Sequence, residues 1–221
     1  AGIKAGPTVA SISSFSTLAT VIKMPYTSEE DRATAIPLEA RKYVPVPLDH
    51  VVLDWSLVGV VDEAGVSSLP QEGQKIASDT IVEVFLAAVP KDETARYQRI
   101  FSTAGLSLEA LELENSSLVR SLLGNDLSPT AILNMGGRST SILVVDKGYE
   151  RLNHNYEIGG YEMTKAIANA LSVSYEDAEA LKRNHGLTDD PNNQARSAIL
   201  SIIDMMIFET RKTIETFEQS N

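Results

Sequence analysis

TAILNMGGRSTSILVVDKGYERLNHNY, residues 130–156, holds two turns between three runs of strand-forming residues. Ala131 to Met135 is apolar and stops at Gly136-Gly137; Thr140 to Val145 is rich in β-branched residues; Asp146-Lys147-Gly148 is a second turn signal before Tyr149. The order read from this is strand, glycine turn, strand, tight turn, strand. A turn made of Gly136, Gly137, Arg138, Ser139 and Thr140 presents backbone N–H groups and hydroxyls with little side-chain bulk, which close approach by a phosphate requires. Taken alone, the same residues also suit an ordinary hairpin with a glycine turn.

Downstream, Glu157-Ile158-Gly159-Gly160 leads into a helix predicted over Tyr161 to Leu171, with Met163, Ile167 and Leu171 on one face. Two glycines at a helix entrance again let a backbone approach a ligand. Ser174 with Asp177 caps another helix that ends at Gly186. On it Glu179 and Lys182 are three residues apart and share a face, the spacing of a surface ion pair. Ala195 to Glu218 is predicted as a long helix whose Ile199, Ile202, Ile203, Met206, Ile207 and Phe208 form core or a subunit contact.

Upstream, Ala1 to Gly6 reads as a helix end with its glycine stop and Val9 to Ser13 as a strand already under way, so a segment of a longer protein is expected. Leu18 to Met24 is a strand, and Ser28 with Asp31 caps a helix predicted over Glu29 to Tyr43 and kinked at Pro37. Val44-Pro45-Val46-Pro47 forces extended chain before a strand at Val51 to Val61 that carries the lone Trp55, read as core. Asp62 to Asp79 is expected as a long, mobile hairpin loop, with Thr80 to Val89 the returning strand. A helix over Lys91 to Ala104 follows, with Tyr97, Ile100, Phe101 and Ala104 as its core stripe. Next come a strand at Leu106 to Leu113 and a short helix at Ser116 to Leu123. Interleaved strands and helices make this an α/β chain, with Gly124 to Pro129 as the expected domain boundary.

Composition excludes several classes. The 221 residues are 43% hydrophobic, enough for a sizeable core. Nineteen basic against thirty acidic residues give a net charge of −11, which disfavours a nucleic-acid or anionic-membrane surface but not a nucleotide with its own metal ion. The absence of cysteine rules out disulfides, zinc thiolates and a thiol nucleophile. No apolar run approaches the ~20 residues of a membrane span. There is no G-x-S-x-G, and His50, His154 and His185 are scattered without metal-ligand spacing.

The meander opening on a glycine turn, the paired glycines before a helix and the A-E-x-x-K of a later helix resemble the second half of an actin-like ATPase. More closely, FSTLATVIKMP (residues 15–25), EARKYVPVPLDHVVLDW (39–55), ILNMGGRSTSILVV (132–145), IGGYEMTKAI (158–167) and DAEALK (177–182) resemble the PilM family of type IV pilus assembly proteins, relatives of FtsA. The resemblance implies an actin-like ATPase (ribonuclease H-like) fold with an inserted subdomain of the FtsA/PilM type. Residues 1–15 and 92–125 would be part of a first large subdomain, 16–91 the insertion, and 126–221 a second lobe. It further implies binding of ATP with Mg2+. Gly136, Gly137, Ser139 and Thr140 would contact phosphates, Gly159, Gly160 and Thr164 would lie beside phosphates and ribose, and Glu179 and Lys182 would meet ribose or adenine. Asn134 stands where such enzymes usually carry Asp for the magnesium shell; being neutral it can coordinate but cannot act as a base, so slow or no hydrolysis is expected.

The family role implied is cytoplasmic, beside the inner membrane, holding the N-terminal cytoplasmic tail of a PilN-like membrane protein and meeting other pilus platform or motor proteins; self-association is compatible. Leu38, Tyr43 and Val44 are expected along the tail-binding groove, with core packing as their alternative. An FtsA-like division protein and a sugar or acetate kinase of the same superfamily are the competing readings, and Asn134 counts against the kinase.

Overall fold

The computed structural model describes residues 5–62, 65–67, 77 and 80–220. Two compact units divide the chain: Ala1–Pro129 with Val145–Arg151, and Thr130–Val144 with Leu152–Asn221.

In the first unit β1 (Pro7–Ile12) pairs in parallel with β6 (Ser107–Leu113). A parallel pair needs a crossover, and here the crossover contains a sheet of its own. β2 (Leu18–Pro25), β3 (Val51–Asp62), β4 (Gly65–Ser67) and β5 (Ile81–Pro90) form an antiparallel sheet in the order β2-β5-β3-β4. Because strand side chains alternate, β5 sends Val82, Val84, Leu86 and Ala88 to one face, where they bury with Ile22, Met24, Val51 and with Ile36 and Ala40 of α1 (Glu29–Ala40). Phe85, Ala87 and Val89 go to the other face, against Ile12, Leu113 and Tyr97 of α2 (Lys91–Thr103). α3 (Glu114–Leu122) follows β6.

Several expectations are refined. Ser28 caps α1 by accepting from the Asp31 N–H at 3.1 Å, as the sequence suggested. The helix stops at Ala40 rather than Tyr43, where the N–H groups of Tyr43 and Val44 both turn back to the Ala40 carbonyl. Pro45 explains this, because the residue before a proline is pushed out of the helical region. Trp55 is partly buried in the core, and Arg32 lies over its ring at 5.8 Å. The stripe expected on α2 is core only in part: Tyr97 packs against Ile12, Ala87 and Leu113 and Phe101 is half-buried, but Ile100 is 53% exposed and Ala104 is exposed too. The expected hairpin loop holds the short strand β4, and most of that loop, like Ala1–Lys4, lies outside the described residues.

β7 (Thr130–Met135), β8 (Thr140–Asp146) and β9 (Tyr149–Tyr156) form a meander with β8 central; it belongs to the second unit except for the hairpin tip Val145–Arg151, which groups with the first. β8 is buried from Thr140 to Val145, which fits its continuous apolar run. The turn between β8 and β9 takes positive φ at Lys147 (55°) and Gly148 (81°), as a two-residue hairpin turn of the right twist demands. α4 (Gly160–Leu171), α5 (Tyr175–His185) and α6 (Arg196–Ser220) close around Met163, Ile167, Ala178, Ala195, Ile199, Ile202 and Met206. Of the α6 face expected as core or subunit contact, Ile207 and Phe208 are exposed and lie outside this core. With Leu133 and Met135 of β7, Ile207 borders an open apolar depression of about 660 Å³. Among the described residues no helix is long and apolar enough to cross a membrane.

Candidate functional site

The glycine turn is closed by the Gly136 N–H donating to the Ser139 carbonyl at 2.9 Å. Its other carbonyls are not idle. Gly136 O accepts from the Gly160 N–H at 3.1 Å and Gly137 O from the Tyr161 N–H at 2.7 Å, so the turn caps the first turn of α4. This requires Gly159, at the N-cap, to have no side chain: a Cβ there would stand 2.6 Å from Gly136 O and 2.9 Å from Gly137 O. The backbone that exploits the paired glycines is thus the turn's own. Thr140, 1% exposed, adds a tie by donating its hydroxyl to Ile158 O at 2.6 Å.

What the turn leaves outward is a set of donors. Gly136, Gly137 and Arg138 are exposed, Ser139 half-buried, and among the described residues no acceptor takes the N–H groups of Gly137, Arg138 or Ser139, or the Ser139 hydroxyl. A Cβ on Gly137 would meet nothing within 4 Å. Successive N–H groups beside one guanidinium suit an anion. Arg138 was not singled out from sequence, although a cation inside a glycine turn is legible there. Asn134 is half-buried on the same face of β7 as buried Ile132.

Behind the turn, α5 is tied to α4 by a compact polar network. Lys182 Nζ donates to Gly160 O (2.9 Å) and to Thr164 Oγ1 (2.7 Å) and pairs with Glu179 Oε2 at 2.7 Å. The Thr164 hydroxyl, fully buried, reaches Glu179 Oε2 at 2.5 Å, and Arg183 Nε donates to Glu179 Oε1 at 2.7 Å. The hydrogen bond from Lys182, reinforced by those from Thr164 and Arg183, pulls the Glu179 carboxyl down from 4.5 to about 2. The Glu179–Lys182 pair is therefore more than a surface ion pair. Contacts run unbroken from Gly136 and Gly137 through Gly159 and Gly160 to Thr164, Glu179 and Lys182, gathering residues from three separated stretches. Among the described residues there is no cluster of three or more His, Asp or Glu that could hold a metal ion.

The first unit has a second candidate feature. On the face of its larger sheet away from α1 is a trough of about 330 Å³, lined by Val52 and Asp54 of β3, Phe85, Ala87 and Val89 of β5, and Leu113 of β6 among others. Leu38, Tyr43 and Val44 do not line it. Val44 is core at 7% exposure beneath α1, on the opposite face, and Leu38 and Tyr43 are exposed. The alternation in Val51-Val52-Leu53-Asp54-Trp55 was the missed signal, since it sends Val52 (46% exposed) and Asp54 away from the Trp55 core.

A family profile described as "Type IV pilus assembly protein PilM" matches residues 3–221. The chain belongs to the PilM family. This PilM-family chain is 30% identical over 99 residues to the cell division protein FtsA of Enterococcus faecalis, a match covering 44% of the chain and 22% of FtsA. It is 30% identical over 87 residues to the ethanolamine utilization protein EutJ of Escherichia coli, covering 39% of the chain and 30% of EutJ. Among solved structures it superposes on the PilM-PilN type IV pilus biogenesis complex with a TM-score of 0.76 at 22% identity, covering 96% of this chain and 58% of that one. The chain thus spans less than two thirds of each of these relatives. The shared fold is the α/β actin-like architecture expected from the sequence.

Proposed function

We propose that this PilM-family chain is the central part of a nucleotide-binding adaptor in type IV pilus assembly, docking the N-terminal cytoplasmic tail of a PilN-like inner-membrane protein. It would work at the cytoplasmic side of the membrane with slow or no ATP turnover. The observation that carries the reading is the open trough: an apolar floor beside strand backbone is what an extended peptide uses, through a few anchors and main-chain hydrogen bonds. The superposed structure is a complex of a PilM with PilN, which supports a PilN-like protein as the partner of this reading. In this reading residues 16–91, which hold the larger sheet, form the inserted subdomain, 1–15 with 92–125 part of the first large one, and 126–221 the second lobe.

For the nucleotide, the exposed donors fit ATP. Gly137, Arg138 and Ser139 would hold phosphate oxygens through N–H groups and the Ser139 hydroxyl, while Gly136, Thr140, Gly159 and Gly160 keep the turn fixed. Thr164, Glu179 and Lys182 would stand on the ribose side, where Lys182 can exchange one of its bonds for a hydroxyl. Mg2+, brought with ATP, would neutralise phosphate charge; Asn134 can offer its water shell only a neutral carbonyl.

The test of the adaptor reading is titration of the full-length protein with a labelled peptide from the N-terminal tail of its cognate PilN-like protein. Saturable binding, lost in Val52→Glu with the fold intact, is expected. Absence of binding with and without ATP, or binding indifferent to Val52→Glu, would sink it.

A further inference from the structure

Arg138, Lys182 and Arg183 are the cations of the glycine turn and of the polar network behind it, all within the second unit. The last two are spent inside the fold. Lys182 Nζ donates to Gly160 O and Thr164 Oγ1 and pairs with Glu179 Oε2, and Arg183 Nε donates to Glu179 Oε1. Arg138 is exposed, and its guanidinium meets no acceptor among the described residues. It belongs to the same short turn as the outward N–H groups of Gly137 and Ser139. The chain as a whole carries −11, a field that repels a polyphosphate and that this side chain offsets locally.

The hydrogen bonds also give the site a direction. Lys182 Nζ holds Gly160 O at 2.9 Å, and the Gly160 N–H donates to Gly136 O at 3.1 Å. The Gly136 N–H donates to Ser139 O at 2.9 Å, which closes the turn with Gly137 and Arg138 at its tip. The tip is therefore the end of this line remote from Lys182 and Glu179. A nucleotide with its sugar on the Lys182 side runs its phosphates toward the tip, and the last of them comes to Arg138. The space there is open, since a Cβ on Gly137 would meet nothing within 4 Å.

Backbone donors and a guanidinium read phosphate differently. An N–H group bonds any phosphate oxygen and so accepts a diphosphate or a triphosphate alike. A guanidinium adds a full charge and a planar fork that fits two oxygens of one phosphate, and its methylene stem carries the head beyond the turn. Resting on the nucleotide reading above, we infer that the Arg138 guanidinium takes the terminal phosphate of a nucleoside triphosphate and sets a preference for the triphosphate over the diphosphate. The diphosphate, one group shorter, keeps the N–H contacts and leaves the guanidinium in water. In an adaptor with slow or no turnover, such a preference makes occupancy follow the ratio of the two nucleotides.

Calorimetry on the full-length protein, with Mg2+ present, compares ADP with a non-hydrolysable ATP analogue. The unmodified protein should bind the triphosphate more tightly. Arg138→Gln should weaken the triphosphate about tenfold and the diphosphate by less than about threefold, so that the preference collapses. Equal binding of the two nucleotides by the unmodified protein overturns the inference, as does a preference that survives Arg138→Gln; in both cases nucleotide binding itself still stands. A loss of both nucleotides alike in Arg138→Gln also overturns it, because the side chain would then serve the turn or attract any phosphate. Binding of neither nucleotide by the unmodified protein removes the nucleotide reading and this inference together. Thermal melting monitors the variant, and Arg138→Met, which keeps the stem, takes its place with the same expected outcomes if Arg138→Gln does not fold.

Discussion

At the scale of single residues, two glycines one hairpin apart carry opposite demands. Gly159 is wedged against the carbonyls of Gly136 and Gly137, so Gly159→Ala must push the turn off α4. A loss of about 1–3 kcal/mol is expected in urea unfolding, as for other overpacked sites, together with weakened ATP binding. Gly137 faces open space. Gly137→Asp should therefore fold with stability changed by less than about 0.5 kcal/mol yet lose ATP in calorimetry, because the new carboxylate repels phosphate. A well-folded Gly137→Asp protein that binds ATP normally would return the turn to an ordinary hairpin. The pair separates the turn's two jobs, capping α4 inward and offering donors outward.

At the scale of elements, α4 and α5 are joined by the apolar contact of Met163 and Ile167 with Ala178 and by the chain Gly160–Lys182–Thr164–Glu179. Glu179 ionises near pH 2 in the fold against an ordinary 4.5. A depressed carboxyl stabilises the fold in its ionised form. The contribution is complete above about pH 4.5 and disappears as pH falls through about 2. Acid titration of stability, followed by helical circular dichroism, should accordingly fall less steeply over that window in Glu179→Gln than in the unmodified protein. Identical acid limbs would mean that Arg183 and Lys182 find water as good a partner as Glu179. α2 shows the converse case, an apolar stripe that its own unit leaves exposed at Ile100.

At the scale of the whole molecule, the two-unit division follows the chain in an unequal way, since Val145–Arg151 groups with Ala1–Pro129. The side chain that anchors this hairpin tip is Arg151, 11% exposed, which pairs with Glu83 of β5, 5% exposed; Lys23 stands 3.9 Å from the same glutamate. Removing one partner of a buried pair strands the other. Arg151→Met should cost about 3–5 kcal/mol in chemical denaturation, and the double change Arg151→Met with Glu83→Leu should recover a large part of it. A double variant no better than the single one would show that Arg151 acts through packing rather than charge. The docking experiment belongs at this scale too, since the trough exists only where β1, β3, β5 and β6 meet.

The resemblance to the PilM family implied the actin-like pattern and the grouping of Gly136, Gly159, Thr164, Glu179 and Lys182, whereas the sequence by itself determined most of the element order, the cap at Ser28 and the two turns of the meander. These follow from local rules, in which a turn, a cap or a strand period is written within a few neighbouring residues. Tertiary structure alone decided which carbonyls fill the space beside Gly159, that Thr140 turns inward to Ile158 O, that Val44 is core while Val52 and Asp54 line a trough, and that Glu83 meets Arg151. Such outcomes depend on which strand face meets which neighbour across long stretches of chain. An alternating pattern shows that two faces exist, and only the assembled sheet shows what each of them touches.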